Sequence, residues 1–373
     1  MIQIIRTHVL KRGFVVLDAD LSPDRRLVGN KGQGLATYRE LIQNMSTKAR
    51  PEGGALPSVL EKWISSLQME LVASGKYSVD DPALQQAVSQ KIFEAIENIQ
   101  DMVHGFEFAK VITHYWNSYK AQDIDGKNHA LKWLRGEYST KGESKRELGV
   151  NVIITDDNWY EYIKLMSAFL HQAGYKGVLV MLDELINLYK LPNTVTRQTN
   201  YEKILTIYND ALQGKVHNLG IIMCGTPQTI EDPRRGLYSY EALRSRLEKG
   251  KFSSDEIKDM LAPVIKLNPL TYEELTVLIE KLALIHASLY DYPMQLTDED
   301  LVGFLKIEFG RVGTNVYITP REIIRDFIEV LNVLYQNPKL TIQQVLGNEA
   351  FSFAKADDDS AEELQDEFKD FTL

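Results

Sequence analysis

The sequence predicts an α/β protein: an open parallel sheet with helices on both faces, a large helical insertion and a small C-terminal helical domain. Three observations predict it. Continuous apolar runs at Phe14–Leu17, Gly177–Leu182 and Leu219–Cys224 have the length of strands buried on both faces, and helical periodicity separates them. The block 29–148 is helical and polar with no convincing strand, which marks an insertion. From Thr271 to about Asn337 the pattern is again helical throughout, which marks a second, smaller domain.

The elements follow in order. Ile2, Ile5 and Val9, with Ile4 beside them, form a helical stripe that Gly13 closes, the pattern of a short buried helix with a glycine cap. The first strand comes next, polar at its carboxyl end through Asp18 and Asp20, and residues 1–28 open the sheet domain. The insertion, 29–150, is broken at Pro51-Glu-Gly-Gly54 and Asp80-Asp-Pro82. Its Trp63, Trp116 and Trp133 are expected in a core rather than as ligand platforms. Asp156-Asp-Asn158 are candidate caps for a helix through Tyr160, Ile163, Met166, Phe169 and Leu170 that stops near Gly174.

The sheet domain resumes over 151–268. Its strands at 177–182 and 219–224 flank a helix around Tyr201–Leu212, and a short last strand, Val264–Leu267, precedes Pro269. Thr271-x-x-Glu274 is a capping box that opens the helical domain, 269–340, with Leu275, Leu278, Ile279 and Leu282 at helical spacing. The last helix starts at Thr319-Pro-Arg-Glu322, with Thr319 as cap, Pro320 at the first helical position and Glu322 completing the box. Residues 341–373 form a tail, acidic from Ala356. It reads as a solvating terminus or, alternatively, as a docking peptide.

Composition narrows the class. The 373 residues suffice for a core domain plus a smaller one, and 44% hydrophobic with 25% charged residues is ordinary for a globular protein. No apolar run approaches the length of a membrane span, and the start lacks a secretory pattern, so a cytoplasmic protein is expected. The single cysteine, Cys224, reads as a core thiol. A net charge of -10 does not indicate general affinity for DNA, although a local basic surface such as Lys141–Arg146 remains open.

The chemistry concentrates at Val178-Leu-Val-Met-Leu-Asp183-Glu184, where a strand ends in two adjacent carboxylates. One carboxylate there can hold a magnesium ion and the next can polarise a water attacking a terminal phosphate, both fixed by a rigid strand. Asp183 takes the metal role and Glu184 the catalytic one; the alternative is a strand that merely ends in acids. The next strand ends in Cys224-Gly-Thr-Pro227, so Thr226 is a candidate phosphate sensor, or simply a loop opener. Arg244 and Arg246, with Arg234 and Arg235 behind them, are candidates to act on phosphoryl charge in a neighbouring copy, or else line a solvated helix face. Arg321 is a candidate second nucleotide contact, or ordinary surface charge.

No G-x-x-x-x-G-K-[ST] occurs anywhere, so the backbone cradle, phosphate lysine and metal-holding hydroxyl of a phosphate loop are missing from these residues. The run Arg135-Gly-Glu-Tyr-Ser-Thr-Lys-Gly-Glu-Ser144 has neither the spacing nor a leading strand. The loop is expected immediately before Met1, since the opening helix stands where the helix after such a loop would lie. ATP binding by this chain alone is therefore expected to be poor.

Several stretches together resemble the ATP-binding proteins of BREX phage-defence systems, the BrxC and BrxD group, closest to BrxD. They are Arg12-Gly-Phe-Val-Val16, Asp20-Leu-Ser-Pro-Asp-Arg-Arg26, Arg50-Pro-Glu-Gly-Gly-Ala-Leu-Pro57, Trp133-Leu-Arg-Gly-Glu137, Leu182-Asp-Glu-Leu-Ile-Asn-Leu-Tyr-Lys190, Gly225-Thr-Pro227, Asp232-Pro-Arg-Arg-Gly-Leu-Tyr-Ser-Tyr-Glu-Ala-Leu-Arg244 and Thr319-Pro-Arg-Glu322. The resemblance implies an AAA-like P-loop NTPase fold with the Asp183–Glu184 run as its Walker B motif, and ATP with Mg2+ as ligands. It also implies action beside other defence proteins, a helicase among them, in a homo-oligomer. The other reading of the same residues is a non-catalytic scaffold that binds partners or DNA.

Overall fold

The computed structural model describes residues 2–79, 81–100, 102–248, 250, 259–312 and 319–347. It divides into two compact units, one through Ile265 and one from Lys266.

In the first unit, helix α1 (Ile2–Lys11) turns at Gly13, whose φ of 87° suits glycine, into strand β1 (Val15–Asp20). Six helices follow: α2 (Gln33–Gln43), α3 (Leu56–Ala73), α4 (Pro82–Gln100), α5 (Gly105–Lys120), α6 (Ile124–Leu134) and α7 (Lys141–Leu148). Then come α8 (Trp159–Gln172), β2 (Val178–Asp183), α9 (Ile186–Tyr189), α10 (Thr194–Leu212), β3 (Leu219–Met223), α11 (Pro227–Glu231) and α12 (Glu241–Leu247). The second unit packs α13 (Tyr272–Leu289), α14 (Asp298–Val312), α15 (Pro320–Gln336) and α16 (Ile342–Leu346) around Ile279, Phe304, Leu305 and Phe327. Both capping boxes form, at Thr271 with Glu274 and at Thr319 with Glu322. Ile342 and Val345 bury in this second core, so packed structure runs beyond the boundary read at 340.

The sheet is parallel in the order β1-β2-β3, with Asp20 opposite Asp183 and Leu182 opposite Met223. Its two faces are covered unequally. Leu10, Ile2, Ile5 and Val9 of α1 pack with Val16, Leu179 and Met181 of the sheet in a small cluster. The other face belongs to a large continuous core that takes in Val15, Leu17, Val178 and Val180 together with residues of α2 through α8. Trp63 on α3 and Phe108 on α5 both meet Phe169 of α8, and Trp133 on α6 meets Tyr162 of the same helix. The three tryptophans are core residues, as their spacing predicts.

Two local expectations differ from the structure. Val264–Leu267 is not a strand: Val264 packs on the large core, but no ladder partner stands beside it among the described residues. An apolar run becomes a strand only where neighbouring backbone takes its N–H and C=O groups. Asp156 does not cap α8 either. Its carboxylate accepts from the backbone N–H of Gly32 (2.7 Å) and Leu35 (2.8 Å) and so caps the distant helix α2. Asp156→Ala should lower stability by about 1–2 kcal/mol, read as a lower urea midpoint with an unchanged slope. An unchanged midpoint would mean that α2 holds without this cap.

Candidate active site

In a parallel sheet the carboxyl ends of the strands share one edge, and here that edge is acidic. Asp18 and Asp20 come from β1 and Asp183 from β2, all on the face that α1 covers, because alternate residues share a face. Burial pushes the Asp18 carboxyl above its usual range, against the opposing pull of the Arg6 guanidinium 3.7 Å away. Cys224, one register step past β3, is only partly buried, and its thiol is raised by burial and then by the Asp183 charge.

The middle strand delivers the carboxylate pair. Asp183 Oδ1 accepts from the backbone N–H of Glu184 at 2.8 Å, while Oδ2 takes no hydrogen bond among the described residues. Glu184 is exposed with φ of 60°, the left-handed region that a glutamate rarely enters. Backbone bonds pin both sides of it: Leu21 N–H donates to Asp183 O (3.0 Å), and Leu185 N–H donates to Cys224 O (3.0 Å). The edge therefore presents one carboxylate oriented by its own backbone and a second held out to solvent.

Thr226 lies just past the same edge as the N-cap of α11, its hydroxyl 3.0 Å from that of Thr229. It is exposed, and the capping bond leaves the hydroxyl a further lone pair for a ligand. The arginines are placed elsewhere. Arg246 donates to Asn209 Oδ1 (3.2 Å) and to Ala242 O (2.7 Å). Asn209 sits near the end of α10, about 22 Å along that helix from its start by the α-helical rise. That is toward the amino end of the sheet, so within one chain Arg246 lies away from Glu184. Arg244 is half exposed and lies 3.4 Å from the Glu248 carboxylate. Arg321 is exposed in the first turn of α15, in the second unit.

One cluster escaped the sequence reading. Tyr189 donates its hydroxyl to Asp232 Oδ2 (2.8 Å) and accepts from Gln228 Nε2 (2.9 Å), and the Arg235 guanidinium lies 5.4 Å over its ring. Asp232 also caps its own turn by accepting from the N–H groups of Arg234 and Arg235. Burial pushes the Asp232 carboxyl up, yet these amides and the Tyr189 hydroxyl outweigh it and hold it below the usual range. Arg235, bonded to Tyr189 O and Leu191 O, is thus structural, whereas Arg234 is exposed.

The residues present fit the metal end of a magnesium nucleotide. Mg2+ is commonly held through one or two carboxylates plus the substrate's phosphates, which suits Asp183 and needs no multi-ligand cage. Among the described residues no group of three or more metal-binding side chains occurs. The phosphate end has no cradle in these residues.

The fold and this edge define an α/β protein of the P-loop-like kind. The chain belongs to the family described as BREX system ATP-binding protein BrxC/D, which it matches over residues 1–350. It is on that ground an ATP-binding-family component of a BREX system, with other components of that system as partners. No match was found among curated proteins or among solved structures. Among the described residues, no helix is long and apolar enough to cross a membrane.

Proposed function

We propose that this chain is the body of an ATP-driven switch or motor of the BREX system, with the Asp183–Glu184 turn as its Walker B motif in an AAA-type arrangement. Bound MgATP would supply the reactive phosphate and its charge-neutralising ion. Asp183 would hold the metal end, and Glu184 would orient and polarise the attacking water. Thr226 would contact the phosphate. Arg244 or Arg246 would act on a neighbouring copy, which suits exposed arginines.

The observation that carries this reading is the carboxylate turn at the carboxyl end of the middle strand, with Glu184 held left-handed. The edge of β3, which has no second strand partner among the described residues, supports it further. Leu219, Ile221, Ile222 and Met223 are only partly buried there. A strand laid parallel along that edge would cover these groups and bring a phosphate loop to the row of Asp183 and Cys224. We therefore place the missing cradle on a segment outside these 373 residues.

Calorimetry with MgATP tests this by comparing the chain with one extended upstream by about fifty residues, roughly a βα unit with a margin. Binding only by the extended chain is the expected result. If neither binds, the second reading gains: a scaffold for partner proteins or DNA, motivated by the absence of G-x-x-x-x-G-K-[ST] from the sequence.

A further inference from the structure

Glu184 is an unusual occupant of its backbone position. The other described non-glycine residues with positive φ are His104, Gln122, Asn218 and Asp291, and three of those four are of the types that tolerate the left-handed region best. A glutamate has no such tolerance, so something in the surroundings over-determines the turn. The backbone bonds to Leu21 and Cys224 fix its two flanks. A side chain closes the remaining side: Asn187 Nδ2 donates to Leu21 O at 2.8 Å, and the Asn187 backbone N–H donates to Glu184 O at 3.0 Å. Leu21 thus gives its N–H to Asp183 and takes the Asn187 amide on its carbonyl, which closes a ring through Leu21, Asp183, Glu184 and Asn187. Buried Leu185 and Leu188 anchor the helical turn that carries Asn187.

We propose that Asn187 is a positioning residue: its amide clasp to β1 keeps Glu184 in the left-handed conformation and so fixes the direction of the Glu184 carboxylate. The catalytic meaning of that aim rests on the ATPase reading above; the conformational claim does not. A left-handed position inverts the usual ranking of side chains, because glycine has no Cβ to clash and alanine does. The clasp should be what maintains that inversion.

Thermal unfolding of this chain tests it through four variants, Glu184→Gly and Glu184→Ala, each alone and with Asn187→Leu. With Asn187 intact, the glycine variant should melt above the alanine variant by about 2–4 °C. With the clasp cut, that gap should vanish, as the turn relaxes to a conformation open to any residue. A gap absent from the first pair, or equal in both, overturns the proposal. Should Asn187→Leu not fold, Asn187→Ser removes the same donor with less bulk.

Activity supplies the second readout, in a chain carrying the phosphate loop. Asn187→Leu should lower kcat about tenfold or more with KM unchanged, since a misaimed group loses rate rather than substrate affinity. A wild-type chain that binds no ATP would sink the ATPase reading and leave the melting comparison to decide the clasp. Normal kcat in the variant would remove Asn187 from its role.

Discussion

Glu184→Gln, made in a chain that carries the phosphate loop, is expected to bind MgATP as the wild type does and to turn it over about a thousand-fold more slowly. The amide keeps the size of the side chain and its exposed place on the turn but removes the charge that draws a proton from the attacking water. Binding survives because the groups proposed to hold the metal and phosphates are others, Asp183 and Thr226. A matched Asp183→Asn variant separates the two roles: there the loss should appear in magnesium-dependent affinity as well as in rate. Single-turnover kinetics, with binding by calorimetry on the same preparations, check both. Unchanged hydrolysis by Glu184→Gln would strip that residue of its role, and unchanged metal dependence in Asp183→Asn would do the same for Asp183.

Much of the frame behind this prediction was legible in the sequence, for physical reasons that differ by element. The strands at 15–20, 178–183 and 219–223 were readable because strands of a parallel sheet carry unbroken apolar runs, although the third, at the edge, is only partly buried. Both capping boxes were readable because their chemistry is local, confined to four residues. What failed was non-local. Val264–Leu267 has a strand's composition, but pairing depends on a neighbour that lies elsewhere, and Asp156 serves a helix that begins more than a hundred residues earlier. The site divides in the same way. Adjacent acids at a strand end announced Asp183 and Glu184, whereas the left-handed φ of Glu184 and the clasps by Asn187 and Tyr189 depend on tertiary contacts. An asparagine three residues past such a pair and a tyrosine before a loop carry no pattern that spacing alone could flag.

The boundary between sheet domain and helical insertion is the reading that the packing questions most directly, and Trp133→Ala exposes what is at stake. Trp133 is 1% exposed, meets Tyr162 edge-on at 5.3 Å and donates its indole N–H to Val152 O at 2.8 Å. Truncation leaves a large cavity and an orphaned carbonyl, so the expected cost is about 3–5 kcal/mol. Tyr162 lies on α8, the same helix whose Phe169 receives Trp63 and Phe108, and α8 itself lies against β2. The helices of 29–150 therefore share one continuous core with the sheet rather than closing a core of their own. The damage should spread accordingly. Hydrogen exchange in Trp133→Ala should quicken in the amides of β1 and β2 together with those of α5 and α6, and the first unit should melt in one lowered transition. Loss of protection in the helices while the sheet amides stay slow would show that the insertion unfolds by itself, and the catalytic turn would then be insulated from it. Concerted loss means that whatever loads the helical block also loads the helix behind the strand that carries Asp183 and Glu184.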